Sequence, residues 1–532
     1  MDNLSDKVSL EINLTEENLD ISFNILNNLA TLFYKYDWNF EESNFYQKIR
    51  KIIGLCKKIE NKNYKKRSKE DKKDKKEEDR SKINQTGIRI SRNEKVRKYD
   101  QFYNNNLERP LKRQKKESEE IDSNNLESIE LKKITIKCYI CKKVIKSLHH
   151  FYDQMCFSCG DFNFIKRSQT ADLKGKIALV TGGRVKIGFE TGLILLKSGA
   201  LVIVTTRFPN DCLKRYQKEK DYDEWKENLH IYGLDLRFLN NVESFCKHIL
   251  NFYQRLDILI QNAAQTIRRP VAYYKHLIDL ENQIIKEPQL KQFDIIDQLS
   301  IQVHDNSCEL KVNVSDGLKM NNQNLINSST QSTSQLCVHP EDFLTLNNTE
   351  LFPQEQYDAD HQQIDLRHVN SWILQLDQVN TAELLEVTAI NYLSPFILLN
   401  KLTPIMKTTT KIHKTSAWVI MVSSMEGQFD RRKSSYHAHT NSAKASLNMI
   451  TRTAASYYAR SNIYINSVDT GWITNENPIP LHKKIKTHRG KFHPPLDEID
   501  GAARILDPIF KMIQSKILEY GFFYKDYKST NW

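Results

Sequence analysis

The sequence has no run of about 18 consecutive apolar residues, so no segment is predicted to span a membrane. Its first residues, Met1-Asp-Asn-Leu-Ser-Asp, lack the basic and then apolar layout of a secretory signal peptide. Nine cysteines in a long chain without such a signal indicate a reducing compartment. We therefore expect a cytoplasmic protein whose cysteines bind metal rather than form disulfides.

A basic excess is missing from most of the chain. The net charge is +12, but residues 61–118 alone supply +11, with 21 Lys and Arg against 10 Asp and Glu. Nucleic-acid binding is therefore expected only through that stretch, if at all. Its clusters Lys112-Arg-Gln-Lys-Lys116 and Lys65-Lys-Arg67 are candidates for nuclear import or RNA contact. The composition favours the simpler interpretation, a solvated linker.

The N-terminal third reads as two segments. Apolar residues such as Leu26, Leu29 and Phe33 recur at helical spacing, which predicts two or three helices in a segment 1–60. This segment is either a small docking module or a helical extension packed on the core, and the pattern does not choose between them. Residues 61–130 are charged and poor in apolar side chains, which predicts a basic disordered linker.

Two Cys-x-x-Cys knuckles follow, separated by fourteen residues. The four cysteines are Cys138, Cys141, Cys156 and Cys159. Each knuckle offers two thiolates from one tight turn, and four sulfurs complete the tetrahedral shell of a structural zinc ion. His149 and His150 lie between the knuckles and are alternative ligands, but the cysteines suffice without them. We predict a zinc-binding segment at 131–168; the alternative is four unligated cysteines.

The pattern then changes to a strand, a glycine turn, a helix and a second strand. Apolar Ile177–Val180 ends at Thr181-Gly-Gly183, a helical pattern follows, and Leu201–Thr206 is again apolar and β-branched. Such a unit points backbone N–H groups and a helix N-terminus at a pyrophosphate. It predicts a dinucleotide-binding βαβ unit.

Strands and helices keep alternating towards the C-terminus, with further apolar strand candidates near 229–234, 256–261, 417–423 and 462–469. This predicts an α/β domain at 169–532 with a doubly wound parallel sheet. The irregular stretch at about 281–360, with a tract rich in Asn, Ser, Gln and Thr, predicts a low-complexity insertion. Four nearby residues are candidates for a substrate mouth: Tyr273, Tyr274, His276 and Arg367.

The turn Thr181-Gly-Gly-Arg-Val-Lys-Ile-Gly188 resembles the Thr-Gly-x-x-x-Gly-Ile-Gly turn of the short-chain dehydrogenase/reductases. The resemblance covers about 170–275 and 370–530, and an atypical branch behind a Cys-x-x-Cys pair combines this turn with the motifs at Asn262–Pro270 and Val468–Trp472. It implies a Rossmann fold, a nicotinamide cofactor, a small carbonyl or alcohol substrate and a homodimer. Lys186 replaces the family's middle glycine, so it either blocks the phosphates or places a cation on one.

The cofactor expected is NADP(H). Arg207 follows the second strand, where a guanidinium suits the 2′-phosphate of NADP and a carboxylate would suit the ribose of NAD. Arg184 is a second candidate cation, and the resemblance adds Asp235 beside the adenine. The expected cofactor-binding residues are Thr181, Gly182, Gly183, Arg184, Lys186, Ile187, Gly188, Arg207, Asp235, Asn262, Ala263, Lys444, Gly471 and Thr474.

The resemblance also implies the catalytic residues. The family uses a tyrosine four residues before a lysine, and these positions share a helix face. Lys444 matches the lysine, but Thr440 stands in the tyrosine position and has no accessible acid pKa. Asn391 and Ser424 match the family's asparagine and serine.

Three functions remain open. The chain is an NADP(H)-dependent oxidoreductase with a relocated or relayed proton donor, or a non-catalytic NADP(H)-binding scaffold or sensor, or an interaction protein with a vestigial nucleotide site. Tyr436, His437 and His439 lie close to Thr440 in the sequence and are the candidate substitute donors. The retained Asn391, Ser424 and Lys444 favour the first two functions.

Overall fold

A computed structural model describes residues 70–104, 129–131, 136–283, 285–293, 350–358, 360–430, 432–482 and 493–532, and the isolated positions 54, 58, 62, 65, 486, 487, 490 and 491. The chain divides into two units. The first is Met1–Ser81 with Lys132–Ile134, of which 70–81 is helical. The second is Lys82–Leu131 with Thr135–Trp532 and holds every element named below. The helices predicted within 1–60 lie outside the described residues, except at positions 54 and 58.

The second unit begins with a small subdomain around the cysteine knuckles. Its elements are helix α1 (Gly87–Asn104), the two-residue strands β1 (Ile129–Glu130), β2 (Ile136–Lys137), β3 (Val144–Ile145) and β4 (Ser147–Leu148), and helix α2 (Phe157–Arg167). β1 pairs with β4 and β2 with β3, both antiparallel. Strands this short form no core of their own, so the subdomain depends on its neighbours.

The first half of the large sheet alternates strands and helices as predicted. Its elements are β5 (Ile177–Thr181), α3 (Lys186–Lys197), β6 (Leu201–Thr206), α4 (Pro209–Tyr216), α5 (Tyr222–Trp225), β7 (Leu229–Gly233), α6 (Leu239–Phe252), β8 (Ile258–Gln261), α7 (Lys275–Glu281) and β9 (Leu290–Lys291). Short 3-10 turns at Lys226–Asn228 and Val271–Tyr274 join them.

The second half follows after the insertion. Its elements are α8 (Thr381–Thr388), a π-helical turn at Ala389–Leu393, α9 (Ser394–His413), β10 (Ala417–Ser423), α10 (Ala438–Ala459), β11 (Ile463–Asp469), α11 (Ile479–His482), β12 (Lys486–Thr487), β13 (Gly490–Lys491), α12 (Glu498–Ser515), β14 (Phe523–Lys525) and β15 (Lys528–Thr530). Three 3-10 turns lie at Ser371–Ile373, Leu376–Gln378 and Met425–Gly427.

Nine of these strands form one sheet in the order β15-β14-β11-β10-β8-β5-β6-β7-β9, parallel except for the β14–β15 pair. The chain runs outward from β5 to β7 and then outward again from β8 on the other side, which is the predicted doubly wound arrangement. Both faces of the sheet are buried, because one core cluster packs around Val180, Val204 and Ile420 and another around Leu179, Ile203 and Val419.

The cysteine subdomain is fixed to helix α12 by buried polar contacts. The Arg167 guanidinium lies 2.6 Å from a carboxylate oxygen of Asp497. The Tyr152 hydroxyl donates to Asp500 Oδ1 at 2.5 Å. Because these contacts link the segment before β5 to the last long helix, the subdomain is part of the dehydrogenase-like unit rather than an independent module.

Within the predicted disordered linker at 61–130, residues 70–84 and 87–104 are instead helical. Arg92 and Lys95 of α1 bind partners in the large domain rather than water alone. Arg92 donates to the carbonyl oxygens of Pro494 and Leu496 at 2.8 and 2.7 Å, and Lys95 Nζ lies 2.5 Å from Asp360 Oδ1. Composition cannot separate such a polar contact face from a solvated charge run.

Both ends of the predicted insertion at about 281–360 are ordered, and its centre, 294–349, lies outside the described residues. β9 extends the sheet beside β7. At the other end the main-chain carbonyls of Asp360 and His361 accept hydrogen bonds from Arg215 at 3.0 and 3.3 Å. The insertion therefore returns to the domain beside α4.

Among the described residues one helical stretch, Thr381–His413, is long and apolar enough to cross a membrane by length and composition alone. Half of its apolar window is buried, with Leu398, Leu402 and Met406 in the core beneath the sheet. Its apolar content is therefore that of a core helix.

Candidate functional site

A cavity of about 760 Å3 lies at the carboxyl ends of the central strands. Its walls include residues from the ends of five strands: Thr205, Leu234, Asn262, Ser423 and Asp469. The strand order reverses between β5 and β8 at this place, and open α/β sheets bind ligands at such reversal points. The volume is in the range of small-molecule and cofactor sites.

Asn262 closes the turn between β5 and α3. Its side-chain amide donates to the carbonyl oxygens of Thr181 and Gly182 at 3.1 and 3.2 Å. The Thr181 hydroxyl accepts from the N–H groups of Asn262 and Ala263, each at 3.0 Å. A Cβ on Gly188 would stand 2.2 Å from the Gly182 oxygen, so this helix position requires glycine. Asn262 thus joins the two central strands at the cavity wall.

The predicted cofactor residues line this cavity with two exceptions, Thr181 and Gly183. Thr181 is buried behind the turn, where its hydroxyl is used by β8. Gly183 packs against Val204, and a Cβ there would come within 2.6 Å of a Val204 methyl. Both residues shape the turn rather than its cavity surface.

Lys186 stands in the family's glycine position and has a backbone conformation that favours glycine. Its φ is +54°, in the left-handed region that costs glycine nothing and a lysine about 1 kcal/mol or more. Burial alone lowers the pKa of Lys186, but the carboxylates of Glu476, Asp360 and Asp358 raise it above its ordinary value. The site therefore holds a lysine cation balanced by three acids.

The two predicted cations beside the turn differ. Arg184 is held by Asp211 Oδ2 at 2.6 Å and Gln362 Oε1 at 2.9 Å, so its guanidinium is already engaged. Arg207 donates to the Tyr274 hydroxyl at 2.9 Å and stacks on the Tyr274 ring at 4.6 Å. Both line the cavity, but Arg207 has the better geometry for a phosphate.

Asp235 is buried and paired with Arg237. The closest contact is 2.7 Å, between Arg237 Nη2 and Asp235 Oδ2. Burial alone raises the pKa of Asp235, but the Arg237 guanidinium lowers it below the ordinary value. Its carboxylate is therefore ionised, and it lines the cavity as part of an ion pair.

Three of the four predicted catalytic residues line the cavity: Ser424, Thr440 and Lys444. Lys444 Nζ donates to the Val422 carbonyl at 2.8 Å, and burial lowers the pKa of Lys444 to about 8. The Thr440 hydroxyl is buried and has no hydrogen-bond partner among the described residues. An unpartnered buried hydroxyl beside a cavity is suited to a ligand atom.

Asn391 is not among the cavity-lining residues. It lies in the π-helical turn, and its side chain pairs with the main chain of Gln265, accepting from the N–H at 2.7 Å and donating to the carbonyl at 3.0 Å. Gln265 does line the cavity. Asn391 therefore orients the loop after β8, and its place among the catalytic residues stays a prediction.

The substitute proton donors do not line the cavity either. His439 Nε2 lies 3.2 Å from Glu383 Oε1 in a groove between α8 and α10. The His437 ring stacks on Trp372 at 4.0 Å, and its Nδ1 lies 2.8 Å from the Trp372 carbonyl oxygen. Tyr436 is exposed. Helical geometry explains this, because residues one, three and four before Thr440 lie on other faces or before the helix.

Of the candidates for a substrate mouth, Tyr273 and Tyr274 line the cavity, whereas His276 and Arg367 do not. Arg367 is paired with Asp365 at 2.8 Å. Among the cavity residues that sequence reasoning missed, Tyr139 and Gln362 come from outside the turn motifs, and Arg269 lies within the Asn262–Pro270 motif. Only Tyr139 carried a signal, as an aromatic residue inside a cysteine knuckle.

The four cysteines come together as predicted. Their sulfur atoms all lie within 4.8 Å of one another, and Cys141 Sγ is 3.9 Å from Cys156 Sγ. Tetrahedral zinc with Zn–S bonds of about 2.3 Å holds its sulfurs about 3.8 Å apart. The arrangement fits a structural zinc ion, and no histidine belongs to the cluster.

The chain belongs to the short-chain dehydrogenase/reductase family. Residues 176–280 match the profile of short chain dehydrogenases, and residues 368–494 match that of enoyl-(acyl carrier protein) reductases. An uncharacterised protein of Acanthamoeba polyphaga mimivirus is 31% identical over 393 residues, which cover 71% of this chain and 73% of that protein.

Shorter matches carry the family name. A short chain dehydrogenase/reductase of Colletotrichum higginsianum is 36% identical over 110 residues, which cover 20% of this chain and 26% of that protein. Among solved structures, the carbonyl reductase Sniffer of Drosophila melanogaster is 16% identical with a TM-score of 0.39, over 68% of this chain and 100% of that one.

Proposed function

We propose that this protein is an NADP(H)-dependent oxidoreductase that interconverts a small carbonyl compound and its alcohol. The observation that carries the proposal is that Lys444 and Ser424 line the same cavity as the turn that Asn262 closes. A nucleotide on that turn and a substrate beside Lys444 would therefore share one space. Family membership supports the reaction class.

The choice of NADP(H) is based on Arg207. Its guanidinium lies at the end of β6, beside the aromatic rings of Tyr274 and Phe208 at 4.6 and 5.5 Å. A planar guanidinium held against aromatic rings is well placed to pair with a 2′-phosphate. Asp235 does not replace it as a ribose ligand, because its carboxylate is taken by Arg237.

We assign the role of proton donor to Lys444. When bound, the reduced cofactor supplies a hydride to the carbonyl carbon. Lys444 gives a proton from Nζ to the carbonyl oxygen, whose π electron pair becomes the new O–H bond, and the neutral amine is reprotonated by water. Ser424 and the unpartnered hydroxyl of Thr440 would orient that oxygen. A buried amine with a pKa of about 8 is suited to acid–base work near neutrality.

The test is NADPH oxidation with a panel of small aldehydes and ketones, comparing wild type with Thr440→Tyr and Thr440→Phe. The tyrosine restores a phenol one helical turn before Lys444, and the phenylalanine adds the same bulk without it. We expect Thr440→Tyr to be faster than Thr440→Phe by about tenfold or more. Absence of carbonyl-dependent NADPH oxidation in the wild type and in both variants would contradict the proposed reaction.

A second candidate function is a non-catalytic NADP(H)-binding scaffold or sensor. The observation that favours it is that the substitute donors Tyr436, His437 and His439 do not line the cavity. It predicts that wild-type protein binds NADPH in a calorimetric titration but oxidises none with any carbonyl compound. Failure to bind either nicotinamide nucleotide would exclude both functions.

We also propose a structural zinc ion at Cys138, Cys141, Cys156 and Cys159. The support is the mutual distance of their sulfurs, and four thiolates leave no open position for catalysis. Mass spectrometry of native protein should find one zinc per chain in wild type and none in Cys138→Ser/Cys156→Ser. Zinc-free wild type of unchanged melting temperature would contradict the proposal.

A further inference from the structure

The cysteine subdomain contributes a residue to the cavity at the carboxyl ends of the central strands. Tyr139 lies between Cys138 and Cys141, and it lines the cavity beside Gly471 and Trp472. Its hydroxyl accepts a hydrogen bond from the Trp472 main-chain N–H at 3.1 Å. We propose that Tyr139 is a positioning residue through which metal binding at the cysteines sets the affinity for the cofactor; this rests on the proposed NADP(H) binding.

The knuckle determines where Tyr139 lies. The Cys138 N–H donates to the Lys143 carbonyl at 2.8 Å, and the Lys142 N–H returns to the Cys138 carbonyl at 3.0 Å. Tyr139 N–H donates to the Gln154 carbonyl at 2.7 Å, which ties the first knuckle to the residues just before the second. Cys156 N–H points at Cys138 Sγ at 3.5 Å. A metal ion bound by both knuckles would lock this arrangement.

The partner of Tyr139 is the turn after β11. Gly471 has a φ of +81°, and its N–H donates to Asp469 Oδ1 at 2.8 Å. The Trp472 indole N–H donates to the Thr474 carbonyl at 2.8 Å. All four of these residues line the cavity. Since the turn is held by local hydrogen bonds and a glycine, the hydroxyl of Tyr139 is an external support for a cavity wall.

The rest of the subdomain is anchored without the metal. Tyr152 binds Asp500 at 2.5 Å, Arg167 binds Asp497 at 2.6 Å, and Arg89 pairs with Asp153 at 2.7 Å. Loss of zinc is therefore expected to loosen the knuckle and Tyr139 rather than detach the subdomain from α12. This separates the proposed effect from general unfolding.

The experiment is a thermodynamic cycle on the full chain. NADPH affinity is measured for wild type and Tyr139→Phe, each with zinc and after its removal by a chelator. Tyr139→Phe removes one hydrogen bond and is expected to weaken binding about 3–10-fold. Zinc removal should weaken wild type by a similar factor and should add little to Tyr139→Phe, because both act on one contact.

Tyr152→Phe is the matched control. It removes a tyrosine hydroxyl bond of the same subdomain that does not reach the cavity, so it should lower the melting temperature and leave NADPH affinity unchanged. Additive effects of zinc removal and Tyr139→Phe, or an affinity that responds to neither, would overturn the inference.

A second readout needs no cofactor. Hydrogen exchange of the Trp472 amide should accelerate in Tyr139→Phe and on zinc removal, and unchanged exchange would overturn the inference on its own. If exchange responds but zinc-loaded wild type binds no NADPH, the proposed function fails and Tyr139 supports a turn without a cofactor role.

Discussion

The turn Thr181–Gly188 and helix α10 each depart from the family pattern, but the surrounding structure responds differently. At the turn, Lys186 has a left-handed backbone of the kind that favours glycine, and three carboxylates raise the pKa of its ammonium group. On α10, Thr440 leaves a buried hydroxyl with no partner among the described residues. The first substitution is compensated by its neighbours, and the second is not.

The comparison shows that neighbouring residues can compensate a substitution that affects binding, whereas a lost proton donor changes the chemistry. A surplus cation can be balanced by acids from distant segments, as Asp358, Asp360 and Glu476 do here. A missing phenol can be replaced only by a proton donor that reaches the same oxygen. In this cavity the titratable group nearest in sequence to Thr440 is Lys444, one helical turn away.

The largest effect is expected at Lys444. Lys444→Met keeps the length of the buried side chain and removes the proton, so carbonyl-dependent NADPH oxidation should fall about 100-fold or more. The measurement is the steady-state rate at saturating NADPH. Lys407→Met is the control, because Lys407 is on the outer side of α9 beside the Tyr457 hydroxyl. Full activity in Lys444→Met would show that another group supplies the proton.

The pH dependence should report the same group. Carbonyl reduction needs protonated Lys444, so its rate should fall about tenfold per pH unit above pH 8, whereas alcohol oxidation should rise through the same pH. The pH dependence of folding stability should report the same group. The unfolded chain holds this proton up to about 10.5, so folding stability should increase with pH between about 8 and 10.5. Lys444→Met should remove that increase; a rate profile that is flat across pH 8 would exclude Lys444.

Arg207 should give the next largest effect. Arg207→Ala is expected to weaken NADPH about 10–100-fold and NADH less than about threefold, because only NADPH carries the phosphate that the guanidinium would bind. Calorimetric titration with each nucleotide measures the ratio. Arg207→Lys keeps the positive charge but not the planar guanidinium with its paired donors. Its NADPH affinity should lie between those of the wild type and Arg207→Ala. Equal losses for the two nucleotides would assign Arg207 a structural role against Tyr274.

The central strands of the sheet were predictable because each is a short apolar run followed by a turn signal, as in Ile177–Thr181 and Ala417–Ser423. The edge strands β9 and β15 are two and three residues long and lack such a run. The family resemblance supplied Lys444 and Thr440, and residues four apart share a helix face. Patterns of this kind report neighbours in sequence. They could not bring Tyr139 or Gln362 to the cavity, because both arrive from segments outside the βα repeats.

Charge runs were the least informative part of the sequence. Arg92 and Lys95 lie in a stretch whose composition predicts disorder, yet they bind carbonyl oxygens and carboxylates of the large domain. The same limit applies to Asn391, whose position in a helix was matched correctly but whose side chain is used by the main chain of Gln265. Residue type and spacing do not specify which partner a polar side chain finds.

The smallest effect is expected at Lys186, and its sign is the most informative. Lys186→Gly relieves about 1 kcal/mol of left-handed strain but makes the unfolded chain more flexible, so the melting temperature should change little. NADPH binding should weaken a few-fold, because the negative field of Asp358, Asp360 and Glu476 would then be unbalanced when the diphosphate binds. Lys186→Asn is the matched control, since asparagine tolerates this backbone and is neutral, and it should weaken binding equally. If Lys186→Gly instead binds NADPH more tightly, the lysine obstructs the turn. Both departures from the family pattern, at Lys186 and at Thr440, would then impair the site.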